Sequence, residues 1–462
     1  MIKFNQILLY FNDFLIRITE VDKSWSTDVA MKEGINIPHY IVADDFTGAN
    51  DIGVALASSR IVTQVLLTDE SSHDNNSSVG VICTNSRDLA SNEAKDKLAN
   101  TSINLQLAQK QPLLIKKVDS TLRGNIGSEI QALLATGYAL SIVAIAAPYA
   151  KRKTVGGLCY VNDVPLSETE FASDPKSPIR SSRIKDIIEL QTNAATVEYL
   201  LADVNSEQHA QNFAQLYDSG AKIIVCDAQS HTDLFDLYHA ASQLNVPTVF
   251  VTTGELTYSL VAQESSPLTE LRRNPAPVLA VIGSMSEMTL KQSQYLLDNK
   301  DAEVIDLDLE KLLSPDWTSY LETKSDQAIE VLKQGSNCVV RSCKNAELRH
   351  ELKAIAEQHG LSQKQLAEHV RECLASFASQ IIRTSNAYIG GMILCGGDIA
   401  IATAQHLGAS SYQIGGRVAG CVPWGTLNST FTPFPIFTKA GGFGEPATFS
   451  QVIQQLHKEV RQ

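Results

Sequence analysis

Residues 38–51 read PHYIVADDFTGAND, apolar in the first half and bearing three carboxylates, Asp44, Asp45 and Asp51, in the second. The run Tyr40-Ile41-Val42-Ala43 has no polar alternation, so it predicts a strand covered on both faces, as parallel sheets are. Asp45 or Thr47 is an ordinary helix-starting residue, and a helix is predicted directly after it. Ligands of open parallel sheets bind outside the carboxyl ends of the strands. Asp44 emerges at such an end, where a carboxylate could orient or deprotonate a hydroxyl or hold a cation.

Outward from this stretch the same grammar repeats. QVLLT, VGVICT, LLIKKV, SIVAIAA, VEYLLADV, AKIIVCD and PTVFVTT read as strands, separated by helical patterns such as GSEIQALLATG and TDLFDLYHAASQL. Around Ala262 to Pro277 it lapses into AQESSPLTELRRNPAP, a polar, proline-bearing linker. A second series follows: VLAVIG, AEVIDL, NCVVRS, YIGGMILCGG, SYQIGG and PIFTKAGG as strands, with a long helix near Gln363 to Ile382. A chain of 462 residues exceeds what one core usually serves. The expected organisation is an extension outside the fold over 1–36, an α/β domain over 37–261, a linker over 262–277 and a second α/β domain over 278–462. Both sheets should be largely parallel, with the active-site cleft between the domains.

Several function classes are disfavoured. The net charge of -13 gives no basic footprint for nucleic acid. The apolar patch ILLYFNDFLI is too short for a membrane span, is interrupted by Asp13 and precedes no cleavage site, so neither membrane nor secretion is expected. Eight cysteines occur singly, without a C-x-x-C pair, which fits reduced thiols and a cytoplasmic protein. No Gly-Lys dipeptide exists for a Walker A loop, and H-E-x-x-H and G-x-S-x-G are absent. Gly442 to Ala447 matches G-x-G-x-x-A, but the ribose-binding acid would fall at the chain terminus, which disfavours a dinucleotide site.

Two further strand ends carry chemistry in the first half. Lys116-Lys117-Val118-Asp119-Ser120-Thr121-Leu122-Arg123-Gly124-Asn125 and Asn85-Ser86-Arg87-Asp88 are rich in cations, which suits an acidic substrate. In the second half Gly283-Ser284-Met285-Ser286, Gly396-Gly397-Asp398 and Lys439-Ala440-Gly441-Gly442-Phe443-Gly444 each lie between a strand and a helix. Amides at helix starts receive phosphate oxygens, and glycine permits close approach, so these turns suit ATP. Any one of these segments alone reads equally as a polar loop or a tight turn.

Together, IVADDFTGANDIGVALA, KKVDSTLRGNIGSEI, VLAVIGSMSEMTLKQ, LCGGDIAIATAQHLG and FTKAGGFGE resemble the four-carbon acid sugar kinase family, from about Pro38 to the C-terminus. The resemblance implies an N-terminal substrate domain, a C-terminal nucleotide domain, and ATP-dependent phosphorylation of the terminal hydroxyl of a small four-carbon sugar acid. VNDVPLSETEFASDPKSPIRSSRI is most similar to the branch acting on D-threonate; D-erythronate and a 3-oxo-tetronate are the alternatives. It carries the substrate contacts to Asp44, Arg87, Lys116, Lys117, Val118 and Asp119, and the nucleotide contacts to Ser284, Gly396, Gly397, Asp398, Ile399 and Gly441. Ile399 stands where the family usually has a small or hydroxyl residue, and Lys151 to Thr154 departs from the family's loop at that place. On this reading Arg87 and one lysine hold the carboxylate, Asp44 or Asp119 is the base, and Mg2+ accompanies ATP. A homodimer is compatible with it. A two-lobed sugar-acid binding or sensing protein is the non-kinase alternative.

Overall fold

The computed structural model describes residues 38–59, 61–67, 78–173, 178–201, 205–261, 271–345 and 347–457. The expected extension over 1–36 therefore lies outside the described residues, as do 262–270 of the expected linker.

The strand-like runs of the first half become β1 (Tyr40–Ala43), β2 (Val62–Leu66), β3 (Ser78–Cys83), β4 (Leu113–Lys117) and β5 (Leu140–Ala144). A small antiparallel sheet of β6 (Arg152–Val155), β7 (Leu158–Val161) and β8 (Val164–Pro165) follows, which the sequence reading did not anticipate. β9 (Thr196–Tyr199), β10 (Ile223–Cys226) and β11 (Thr248–Thr252) then complete an eight-stranded parallel array in the order β2-β3-β1-β4-β11-β5-β10-β9. Every residue of β1, β5, β10 and β11 is buried. Their apolar character, broken only by Ser141, Thr248 and Thr252, is what two covered faces require.

The second half supplies β12 (Val278–Ile282), β13 (Glu303–Asp306), β14 (Cys338–Arg341), β15 (Gly391–Cys395), β16 (Ser411–Val418), β17 (Val422–Leu427) and β18 (Ile436–Lys439). β13, β14, β12, β15 and β18 are parallel, and β17 and β16 close the row antiparallel. β17 was not read from sequence: Pro423 and Gly425 are residues that argue against a strand.

The expectation of two separate sheets is corrected by the seam between them. β16 pairs antiparallel with β2 through Ser411↔Leu66, Tyr412↔Val65 and Gln413↔Gln64, so the two arrays form one fifteen-stranded sheet. Each strand would otherwise present an unpaired edge. Helix α1 (Phe46–Ser58) reinforces the seam from above. A methyl group at Gly53 would lie 2.5 Å from Ile414 Cδ1 of β16 and 3.3 Å from Thr63 Cγ2 of β2, so the backbone of α1 must approach both strands closely.

The seam also decides where the strand ends go. The first-half strands run opposite to the parallel strands of the second half, so a flat sheet would put the two sets of carboxyl ends on opposite edges. β1 and β15 are six steps apart in the strand order. At roughly 20–25° of twist per step, they are rotated by roughly 120–150°, which returns both sets of ends to one side. No helix among the described residues is long and apolar enough to cross a membrane.

Candidate active site

β3, β1 and β4 are neighbours, and their carboxyl ends deliver Arg87, Asp44 and Asp119 to one place. Backbone bonds from Ser86 N and Arg87 N to Asp44 O, 2.8 and 3.3 Å, tie the first two loops together. The Asn125 amide donates to Ser86 O and Leu89 O at 3.0 Å each and fixes the Arg87 loop from the far side.

Arg87 is gripped on both edges of its fork. Nε and Nη2 donate to Asp44 at 2.7 and 2.8 Å, while Nη1 and Nη2 donate to Asp45 at 2.8 and 2.6 Å. Asp45 also caps α1, accepting from Gly48 N at 3.0 Å, so its capping and site roles coincide. Asp119 sits 3.9 Å from Arg87 Nη1 and accepts from Arg123 Nε at 2.8 Å and from the Thr121 hydroxyl.

The charges follow from this arrangement. Burial opposes ionisation of Asp44, but Arg87, then Lys116 and Lys117, outweigh it and hold the carboxyl below its ordinary value. Asp119 is likewise held down against burial, by Arg123 and Arg87. Burial dominates at Asp45 and pushes it up, in spite of Arg87 and Lys117. Asp51, nearly two turns further along α1, reaches solvent yet is surrounded by enough protein that desolvation raises it too, against Lys117, Arg417 and Arg87.

Successive strand residues face opposite sides, and this separates the two lysines. Lys116 is fully buried, 3.1 Å from Glu129 of helix α2 (Ile126–Ala135), with a second bond to Lys117 O at 3.2 Å. Lys117 turns to the α1 side, its Nζ 3.9 Å from Asp45. A methyl group at Gly48 would lie 2.1 Å from that ammonium, so glycine there is what admits it.

The second-half turns follow β12, β15 and β18, again three neighbours. Gly441 O accepts from Ser286 Oγ at 2.5 Å, Thr289 Oγ1 at 2.8 Å and Lys439 Nζ at 3.0 Å. Ser286 and Thr289 stand at the start of helix α3 (Glu287–Asp298), and a methyl group at Gly441 would meet Ser284 Oγ at 2.0 Å. Burial pushes the Lys439 ammonium below its usual value. At β15, helix α5 (Gly397–His406) starts from Gly396 at φ +122°, an N-cap residue that has no side chain to cover the first amides. An uncapped helix start is a receptor for phosphate oxygens.

Val118 and Ile399 enter differently from their neighbours. Val118 is 1% exposed and donates its amide to Thr252 O. Ile399 is buried, and a methyl group at Gly283 would lie 2.6 Å from its Cγ1 and 3.2 Å from Leu374 Cδ1 of the long helix α4 (Gln363–Ser385). Neither side chain points into the gap; what Ile399 offers a ligand is its main chain. α4 extends three residues past the predicted Ile382.

The two halves meet at their loaded ends. A methyl group at Gly397 would lie 3.3 Å from Thr47 Oγ1 and 3.9 Å from Thr47 N, so the N-termini of α1 and α5 abut. Sequence reasoning missed Thr47 and Glu129. Glu129 lay inside a helical pattern with nothing to mark it, and Thr47 gains meaning only from its contact across the seam.

The depressed carboxylates set an acid limit. Their folded values lie below the ordinary 3.8, so the stability they add is complete above it and is lost as pH falls through the depressed values. Urea titrations across pH 7 to 2 should show this decline in the wild type. Asp119→Asn should start lower at neutral pH and decline less steeply; an unchanged slope would contradict the pairing.

Residues 39–260 match a family model described as a sugar-binding N-terminal domain, and 279–449 one described as a nucleotide-binding C-terminal domain. The chain is 37% identical to a D-threonate kinase of Salmonella typhimurium, over 90% of this chain and 98% of that one. It is 31% identical to a D-erythronate kinase of Heliobacterium modesticaldum, over 87% and 93%. A 3-oxo-tetronate kinase of Pectobacterium atrosepticum is 26% identical, over 90% and 98%. A crystal structure of a Haemophilus influenzae protein superposes with a TM-score of 0.69 at 24% identity, over 90% of this chain and all of that one, which shows the shared fold.

Proposed function

Because the chain belongs to the four-carbon acid sugar kinase family and is an ATP-dependent kinase, we propose that its acceptor is D-threonate, phosphorylated on the terminal hydroxyl to 4-phospho-D-threonate. The observation that carries this reading is the Thr47–Gly397 contact, which sets the acid-and-cation cluster of the first half against the uncapped helix start of the second. The preference for D-threonate over D-erythronate or a 3-oxo-tetronate draws on the 37% identical relative.

In this reading the acceptor lies against Asp44, Lys117 and Asp119, with the main chain of Val118 beside it and Lys116 supporting from below. Asp44 and Asp119, both held ionised, accept hydrogen bonds from the acid's hydroxyls, and one takes the proton of the reacting hydroxyl. Arg87 is the strut that keeps Asp44 and Asp45 apart and in place. The γ-phosphate rests at Gly396, Gly397, Asp398 and the Ile399 amide, with the rest of ATP along Ser284 and Gly441. Phosphoryl transfer depends chiefly on positioning and charge neutralisation, which two fixed helix starts in contact provide.

Among the described residues no three His, Cys, Asp or Glu side chains converge as a metal cage. Mg2+ on ATP needs only one or two carboxylates besides the phosphates, and Asp51 and Asp398 flank the Thr47–Gly397 contact to supply them. When bound, that ion neutralises charge on the phosphoryl oxygens.

ADP release measured with D-threonate, D-erythronate and a 3-oxo-tetronate tests the assignment. D-Threonate should give a kcat/KM about tenfold or more above the others, a difference that one well-paired hydroxyl supplies. Equal or better turnover of another acid overturns the choice, and binding without ADP release would favour a sensing protein.

A further inference from the structure

The cluster at β3, β1 and β4 has fewer open cationic donors than its composition suggests. A guanidinium carries five N–H groups; those of Arg87 make four hydrogen bonds to Asp44 and Asp45, with Asp119 standing beyond them. Lys116 is closed off against Glu129. Lys117 remains, 3.9 Å from Asp45, but as a single point charge it cannot pair side-on with both oxygens of an acid.

Arg152, the first residue of β6, is arranged to supply it. Its Nη1 donates to Ser120 Oγ, next to Asp119 on the β4 loop. Its guanidinium carbon lies 5.8 Å from the Phe171 ring centre, and that of Arg123 lies 5.9 Å from the same centre, so one aromatic ring serves two cations. Its Nε is buried and has no hydrogen-bond partner among the described residues. An orphaned donor on a charged group costs about 1–3 kcal/mol or more, and such a group calls for a missing partner. With Nη1 engaged, the edge left over is Nε with Nη2, the same edge by which Arg87 grips Asp44.

The position is also built. Ala147 and Arg152 exchange two backbone hydrogen bonds of 2.9 Å, which fix Arg152 to the chain leaving β5. The loop between them is held by Glu255, whose carboxylate accepts from Tyr149 N at 2.9 Å and Ala150 N at 3.2 Å and lies 3.1 Å from His231 Nε2.

We propose that Arg152 receives the carboxylate of the sugar acid, bidentately on its Nε–Nη2 edge, and so determines that this kinase takes acids rather than neutral polyols. This rests on the reading that the neighbouring cluster is the acceptor site. Side-on pairing of planar fork to planar carboxylate is what arginine does and lysine cannot.

The test compares D-threonate with its amide in steady-state ADP release. Arg152→Ala should raise KM for D-threonate by about 10- to 100-fold, the worth of a charged hydrogen-bonded pair. Its kcat, its KM for ATP and its kcat/KM for the amide should stay near wild type. Arg152→Lys should recover only part of the loss. Should the alanine variant lose its melting transition, Arg152→Gln, which retains a donor toward Ser120, gives the same readout. An unchanged KM for the acid, or an equal rise for acid and amide, overturns the assignment. A wild-type enzyme that releases no ADP with any four-carbon acid would instead sink the acceptor-site reading on which it rests.

Discussion

Arg87→Met is expected to abolish turnover and to lower unfolding free energy by about 3–5 kcal/mol, the cost of stripping the partner from buried charge. Four hydrogen bonds from one guanidinium hold Asp44 and Asp45, and the side chain of Asp44 is only 2% exposed. Without the arginine, two carboxylates share a pocket with only lysines left to offset them, and one must take up a proton or swing out. If Asp45 is the one that swings out, the cap of α1 goes with it. Denaturant unfolding at neutral pH measures the stability and ADP release measures the activity. Arg87→Lys, a single point charge, should fall between. A loss below about 1 kcal/mol, the range of a surface pair, would show that the cluster is solvated and the strut role wrong.

Gly48→Ala should separate activity from stability. Alanine favours a helix over glycine by about 1 kcal/mol, which offsets the crowding of the cap oxygen, Asp45 Oδ1, at 2.6 Å from the new methyl group, so the melting temperature should change little. The added methyl group would nevertheless occupy the space of the Lys117 ammonium, 2.1 Å away. That flexible end can move, and in moving it leaves Asp45 and the gap. A displacement of about 1 Å at a reacting centre can cost on the order of 100-fold in rate, and a fall of that size in kcat/KM is expected. Wild-type kinetics would show that Lys117 takes no part in the reaction.

The contrast between these sites and what the sequence revealed has a physical basis. Buried parallel strands are written locally, as unbroken runs such as Tyr40 to Ala43, so the eight large-sheet strands of the first half were legible. The loops after β1, β3 and β4 were legible as strand ends with too much charge. Pairing was not. Nothing near Ser411 or Val65 declares that β16 joins β2, since register is a relation between segments distant in sequence. The split fate of Lys116 and Lys117 follows from strand alternation and was available, but Glu129 as the partner of Lys116 needed the packing of α2. Ile399 shows the same limit: a residue in a phosphate-binding turn whose side chain belongs to the core against Gly283 and Leu374.

The seam at β16 and β2 finally governs how the two active surfaces can part. A ladder that links one surface to the other, with a register shift at Ile414 to Gly416 of β16, offers one soft motion, a wringing about the axis across its strands. A change of about 3° at each of six steps would sum to about 18° between β1 and β15, well inside the range over which natural sheets vary. Substrates could thus enter and leave through a torsional spring whose hydrogen bonds all stay made.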